Sequence, residues 1–128
     1  MYSFILVLNA ICMVESSGRT EVINYNDGPG GHSYGECQVQ YPTARELGYA
    51  RDIYCSEKSK APKKCGLLKR SKEYGSKYLS KQLKRYNGDW TKAISAYNAG
   101  SYTKKNRKYV QKVIRQIKVQ HIIADRTN

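Results

Sequence analysis

Acidic side chains are scarce in this sequence, and no stretch is long and apolar enough to span a bilayer. Ten Asp and Glu stand against 23 Lys and Arg in 128 residues, a formal charge of +13. The deficit begins after residue 50. Before that point two basic residues, Arg19 and Arg45, meet five acidic ones; after it, 21 basic meet five acidic. Such a field suits either a solvated surface or a polyanionic partner such as nucleic acid, an anionic membrane or a bacterial wall, and charge alone does not choose among them. The apolar run Phe4 to Val14 is too short for a transmembrane helix. It is also a poor signal peptide: no basic residue precedes it and no small-x-small site follows. Bulky Ile11 before Cys12 disfavours lipoprotein processing. The run is expected instead to form a core helix, apolar nearly all round. Repeats and low-complexity tracts are lacking, so the expectation is one domain over residues 1–128. CxxC pairs are lacking too, and only His32 and His121 could supplement the cysteines, so a zinc site is not expected.

Long alternating β-branched stretches are scarce as well, which predicts a mainly α fold with a small β-hairpin. The first helix is expected from Ser3 to Ser16, stopping at Gly18. Thr20 to Gly35, with NYNDGPGGHS, has turn composition and room for the hairpin. A second helix opens at Pro42 and ends at Gly48. The basic loop from Cys55 to Cys65 follows. Residues 69–86 read as helical, with Tyr74/Tyr78 and Leu79/Leu83 four apart. Asp89 caps a helix from Trp90 to Ala99 that Gly100 closes. The last helix is expected over 106–123, with Tyr109, Val113 and Ile117 on one face. Four cysteines allow three complete pairings. Closing the Lys/Ser/Pro loop between Cys55 and Cys65 is the expected one, and Cys12 is read as a small core residue.

Three clusters could carry chemistry. Glu15 ends a helix whose only earlier polar residues are Ser3 and Asn9. Partial desolvation there would raise its pKa and suit it to donate a proton near neutral pH. Ala96 to Gly100, AYNAG, places Tyr97 and Asn98 between small residues at a helix end, where a chain-like ligand could approach. Gly35-Glu36-Cys37-Gln38 combines a glycine that permits close backbone approach with an amide that both donates and accepts. A competing view of the last cluster makes Cys37 a thiol nucleophile with His32 as its base.

Together and in order, these segments resemble the soluble lytic transglycosylase family of the lysozyme-like fold. Glu15-Ser16 matches its catalytic Glu-Ser. Gly35-Glu36-Cys37-Gln38 with Thr43-Ala44 is similar to its Gly-Leu-Met-Gln…Thr-Ala segment. Tyr78-Leu79 and Tyr86-Asn87-Gly88-Asp89 resemble the helix and turn before its third motif; Ala96-Tyr97-Asn98-Ala99-Gly100 matches that motif without a break. Tyr109-Val110 resembles its late Tyr-Val. Glu36 and Cys37 replace an aliphatic residue and Met, and Asn24 stands where many relatives have Ser.

The resemblance implies cleavage of peptidoglycan glycan strands between N-acetylmuramic acid and N-acetylglucosamine. Glu15 would act as the single acid and base, and 1,6-anhydromuramyl ends would form. It implies sugar contacts from Asn24, Gln38, Tyr97 and Asn98, with Tyr109 orienting Glu15. It implies no cofactor. The partners would be the glycan strands and anionic wall polymers, with no specific nucleic acid, and the place of action the bacterial wall, in the periplasm or outside the cell. Small size and the poor export signal, rather than the resemblance, make a phage particle or a secretion machine an attractive setting. Goose-type lysozymes share the fold and hydrolyse the same bond, and Asp27 in NYNDG would be their water-positioning acid. A third alternative keeps the fold without catalysis, as a basic wall- or nucleic-acid-binding protein.

Overall fold

A computed structural model describes residues 2–127. The chain is mainly helical, with a small three-stranded antiparallel sheet. In order it forms helix α1 (Phe4–Ser16), strands β1 (Ile23–Asn24), β2 (Ser33–Tyr34) and β3 (Val39–Gln40), and helices α2 (Tyr41–Glu46), α3 (Leu67–Arg85), α4 (Trp90–Ala99) and α5 (Arg107–Thr127). Short 3-10 turns lie at Ile53–Cys55, Pro62–Lys64 and Lys104–Asn106. Among the described residues no helix is long and apolar enough to cross a membrane. The residues divide into two compact units, Met1–Val14 with Leu79–Asn128, and Glu15–Tyr78.

In the first unit, α4 packs on α5. Ala93 to Tyr97 are all buried, as are Val110, Val113 and Ile117 of α5, whose spacing of three and four places them on one helix face. Asp89 caps α4 by accepting the Lys92 N–H at 3.1 Å. Gly100, at φ 86°, closes it by donating its N–H to the Ala96 carbonyl at 2.8 Å. The Phe4 and Trp90 rings meet at 6.1 Å, joining the starts of α1 and α4. Helix α1 buries Val7, Leu8, Ala10, Ile11 and Cys12 but leaves Ile5 53% exposed. It is a core helix on one broad face rather than all round. Helix α5 runs beyond the expected Ile123 because Ala124, Asp125 and Arg126 contain no breaker. The His121 and Asp125 side chains also lie 3.4 Å apart across one turn.

The second unit holds the sheet. The expected hairpin gains a strand because Gly35 (φ 78°) and Gln38 (φ 53°) turn the chain sharply enough to bring Val39 and Gln40 back against β2. Ile23 pairs with Tyr34 and Asn24 with Ser33; Ser33 also pairs with Gln40. Tyr34 is wholly buried, and its hydroxyl donates to the Cys55 carbonyl at 3.0 Å. Burial pushes that phenol up to about 12, with the Asp52 carboxylate adding to the shift. Cys55 and Cys65 form the expected disulfide.

Candidate active site

Glu15 stands one residue before the end of α1, half-buried, beside a Ser16 that is 1% exposed. The Ser16 carbonyl accepts from both the Arg19 N–H, at 3.2 Å, and the Arg19 guanidinium Nε, at 3.0 Å. These bonds satisfy the helix end where Ser17 and Gly18 leave it in left-handed conformations. The carboxylate is therefore carried on regular helix rather than on a loop.

In the same unit the structure brings Asn24 and Gln38 together. Gln38 Nε2 donates to the Gly35 carbonyl at 3.0 Å and approaches the Val22 carbonyl at 3.4 Å. Carbonyls only accept, so Gln38 Oε1 is the acceptor end, and it receives a hydrogen bond from Asn24 Nδ2. The Gln38 amide is thus used in holding the β2–β3 turn against β1, while Asn24 is exposed. Asp27 is exposed too, and its carboxylate accepts the Ser33 hydroxyl at 2.7 Å. Its loop is closed by the Asp27 N–H on the Gly31 carbonyl at 2.8 Å. Gln40 Nε2 adds a bond to the Asp27 carbonyl.

Gly35 sits under helix α3. Ser71 Oγ donates to the Tyr34 carbonyl at 2.8 Å and accepts the Cys37 N–H at 2.9 Å, pinning both sides of the glycine. A Cβ on Gly35 would stand 2.4 Å from Ser71 Cβ and 2.9 Å from the Leu68 carbonyl. The close approach expected of this glycine is thus made to the protein's own helix. Cys37 is fully buried and disulfide-bonded, Cys12 is disulfide-bonded as well, and no cysteine is free. This overturns the thiol-nucleophile reading, because Cys37 has no thiolate to offer. His32 is 7% exposed, and its Nδ1 accepts the Asn26 N–H at 2.8 Å. Cys12 is buried in the core, as expected, and its sulfur is engaged in a disulfide besides. Asp52, Cys55 and Cys65 lie close enough to suggest a metal cluster, but both sulfurs are consumed in the disulfide.

In the other unit, Ala96 to Ala99 of AYNAG form the last turn of α4 and Gly100 caps it. Tyr97 is 7% exposed, Asn98 is exposed, and Tyr109 on α5 is half-buried. Asn98 Oδ1 accepts from Asn106 Nδ2 at 3.1 Å. Asn106 also donates to the Ser95 carbonyl at 2.9 Å, and its Oδ1 lies 2.7 Å from Ser95 Oγ. Neither Ser95 nor Asn106 stood out in the sequence. Their pairing spans eleven residues and obeys no local pattern, and Asn106 is embedded in the basic run TKKNRK.

No curated protein and no solved structure matches the chain. The transglycosylase SLT domain model matches residues 6–119, a span that includes Glu15, the sheet, AYNAG and Tyr109. With most of its length matched in this way, the chain belongs to the transglycosylase SLT domain family.

Proposed function

We propose that the protein cleaves the β-1,4 bond between N-acetylmuramic acid and N-acetylglucosamine by transglycosylation, with Glu15 as its only acid and base. Membership of the family carries a peptidoglycan-degrading function of the lytic transglycosylase type. The continuous match from α1 into α5, with Glu-Ser and AYNAG both inside it, is the observation that carries the finer reading and supports treating the chain as one functional domain. Glu15 in its neutral form gives its proton to the glycosidic oxygen as the muramyl C1–O bond breaks and the N-acetyl oxygen closes on C1. The resulting carboxylate then takes the proton of the sugar's 6-hydroxyl, and O6 displaces the N-acetyl oxygen at C1. A 1,6-anhydro ring forms, Glu15 is again protonated, and no water is consumed. This differs from the two-carboxylate scheme of most glycosidases. Asn24, Gln38, Tyr97 and Asn98 serve as sugar contacts, and Tyr109 orients Glu15. Anionic wall polymers are held by the basic surface. A chain without a free cysteine suits the oxidising side of a membrane, in the periplasm or outside the cell. Delivery by a phage particle or a secretion machine is part of the same proposal.

The test is a digest of purified peptidoglycan, with released muropeptides weighed by mass spectrometry. Products lighter by one water than their reducing-end counterparts are expected. Glu15→Gln should lower the rate by about 10²–10⁴-fold, the range for loss of a general acid. Cleavage by that variant at the wild-type rate would sink the assignment of Glu15. Tight duplex binding with no wall cleavage would favour the non-catalytic alternative. Reducing ends would instead favour hydrolysis, the second reading, which rests on Asp27 being exposed and oriented by Ser33.

A further inference from the structure

The geometry points to Asn106 as a positioning residue that sets the hydrogen-bonding sense of Asn98, so that Asn98 offers N–H donors to an acceptor oxygen of the glycan. The role of Asn98 as a sugar contact is taken from the proposed function; its orientation is argued from geometry alone. Asn106 closes the 3-10 turn Lys104–Asn106 and faces the last turn of α4. Its Nδ2 is 2.9 Å from the Ser95 carbonyl. A carbonyl oxygen cannot donate, so the amide nitrogen must face it, and that fixes which way round Asn106 lies. Its Oδ1 must then accept, and the Ser95 hydroxyl 2.7 Å away supplies the proton. Ser95 Oγ is itself held as an acceptor by the Thr103 N–H at 3.1 Å. The Thr103 carbonyl lies 3.0 Å from the same hydroxyl, a longer contact for its single proton.

The second N–H of Asn106 is directed at Asn98 Oδ1, 3.1 Å away. Asn98 therefore has its oxygen engaged and its NH2 group turned outward on an exposed side chain. The ligand atom that matches this arrangement is an oxygen acceptor, such as an N-acetyl carbonyl or a sugar oxygen. A ligand N–H or a hydroxyl acting as donor would meet the wrong end of the amide. Ser95 is wholly buried and Asn106 half-buried, which gives the chain of bonds a rigid anchor.

Side-chain amide resonances in a ¹⁵N-labelled protein test the orientation without any ligand or activity. Asn106 NH2 protons should exchange slowly and Asn98 NH2 protons fast. The reverse pattern would overturn the inference even if peptidoglycan cleavage is confirmed. If the wild type cleaves nothing, the proposed function fails, while this exchange pattern still decides the orientation. Asn106→Asp, which keeps the acceptor for Ser95 but opposes Asn98 Oδ1 with a carboxylate, should slow Asn98 exchange by turning its amide inward. With peptidoglycan as substrate, Asn106→Ala should raise KM about three- to tenfold, the worth of one neutral hydrogen bond, with kcat moved less. Asn106→Asp should raise it further. The Asn98→Ala, Asn106→Ala double variant should be no worse than Asn98→Ala alone. Additive effects, or a lowered Tm with unchanged KM, would mark Asn106 as merely structural and overturn the inference.

Discussion

At Gly35 two independent constraints fall on one residue. Its φ of 78° lies in the left-handed region, and its Cα faces Ser71 and the Leu68 carbonyl too closely for any side chain. Gly35→Ala therefore combines left-handed strain with overpacking against backbone that cannot yield. A loss of about 2–4 kcal/mol is expected, readable as a lower urea midpoint at unchanged slope. A loss below about 1 kcal/mol would show that α3 can move away. The glycine itself was legible in the sequence, but its reason was not. Proximity to Ser71 is a contact across 36 positions, and nothing local announces it. Gln38 is similar. Its polar type was legible, but the bonds its amide makes to Gly35, Val22 and Asn24 were not. Asn98 and Glu15 are proposed from pattern, since their neighbours in the chain are also their neighbours in the motif.

Between α2 and α3 the chain is organised by one carboxylate. Asp52 Oδ1 accepts the Tyr54 N–H at 3.0 Å, and Oδ2 accepts the Gly66 N–H at 2.9 Å and the Tyr49 hydroxyl. The Asp52 N–H donates to the Tyr41 hydroxyl at 2.9 Å, so α2, the 3-10 turn at Ile53–Cys55 and the start of α3 share one hub. Burial alone would raise the Asp52 pKa, but the Tyr49, Gly66 and Tyr54 bonds outweigh it and hold the pKa below the usual carboxylate range. Burial first, and then the bond to Asp52, push the Tyr49 phenol well above its ordinary value. Because the Asp52 pKa is depressed, its contribution to stability is complete above about pH 4 and is lost as pH falls through the lower folded value. Asp52→Asn should cost about 1–3 kcal/mol at neutral pH by leaving donors facing donors. Its melting temperature should also fall less than that of the wild type between about pH 4 and pH 2. Parallel curves would exclude Asp52 as the source of the acid limb. Helix positions were largely legible from the sequence: α4 begins and ends where Asp89 and Gly100 predict, and α1 ends before Gly18. The three two-residue strands were not, because elements that short carry no periodicity. The break at Arg70, whose φ of −109° is not helical, has no breaker to mark it.

Over the whole molecule the charge is divided unevenly. Leu79–Asn128 carries twelve basic and two acidic side chains, whereas Glu15–Tyr78 carries eleven and eight. Lys108, Lys112 and Arg115 are exposed on α5, spaced four and three apart along one side of the helix. Co-sedimentation with purified walls should weaken as salt rises, because exposed charges are screened over about 8 Å at physiological ionic strength. Replacing these three residues with Gln should reduce binding several-fold in about 0.05 M salt and leave it unchanged in about 0.5 M. Equal loss at both concentrations would show that charge is not what holds the wall. The charge asymmetry was visible in composition alone; which cations stand clear of the core required the helix to be placed. The oxidised cysteines add a consequence of another kind. Every sulfhydryl has been spent, so part of the native state is stored as electrons already handed to an outside acceptor. A chain made in a reducing cytoplasm would lack those cross-links, with a looser and less durable fold. Full reduction of the cysteines should therefore show as a lower melting temperature, the cost of losing those cross-links.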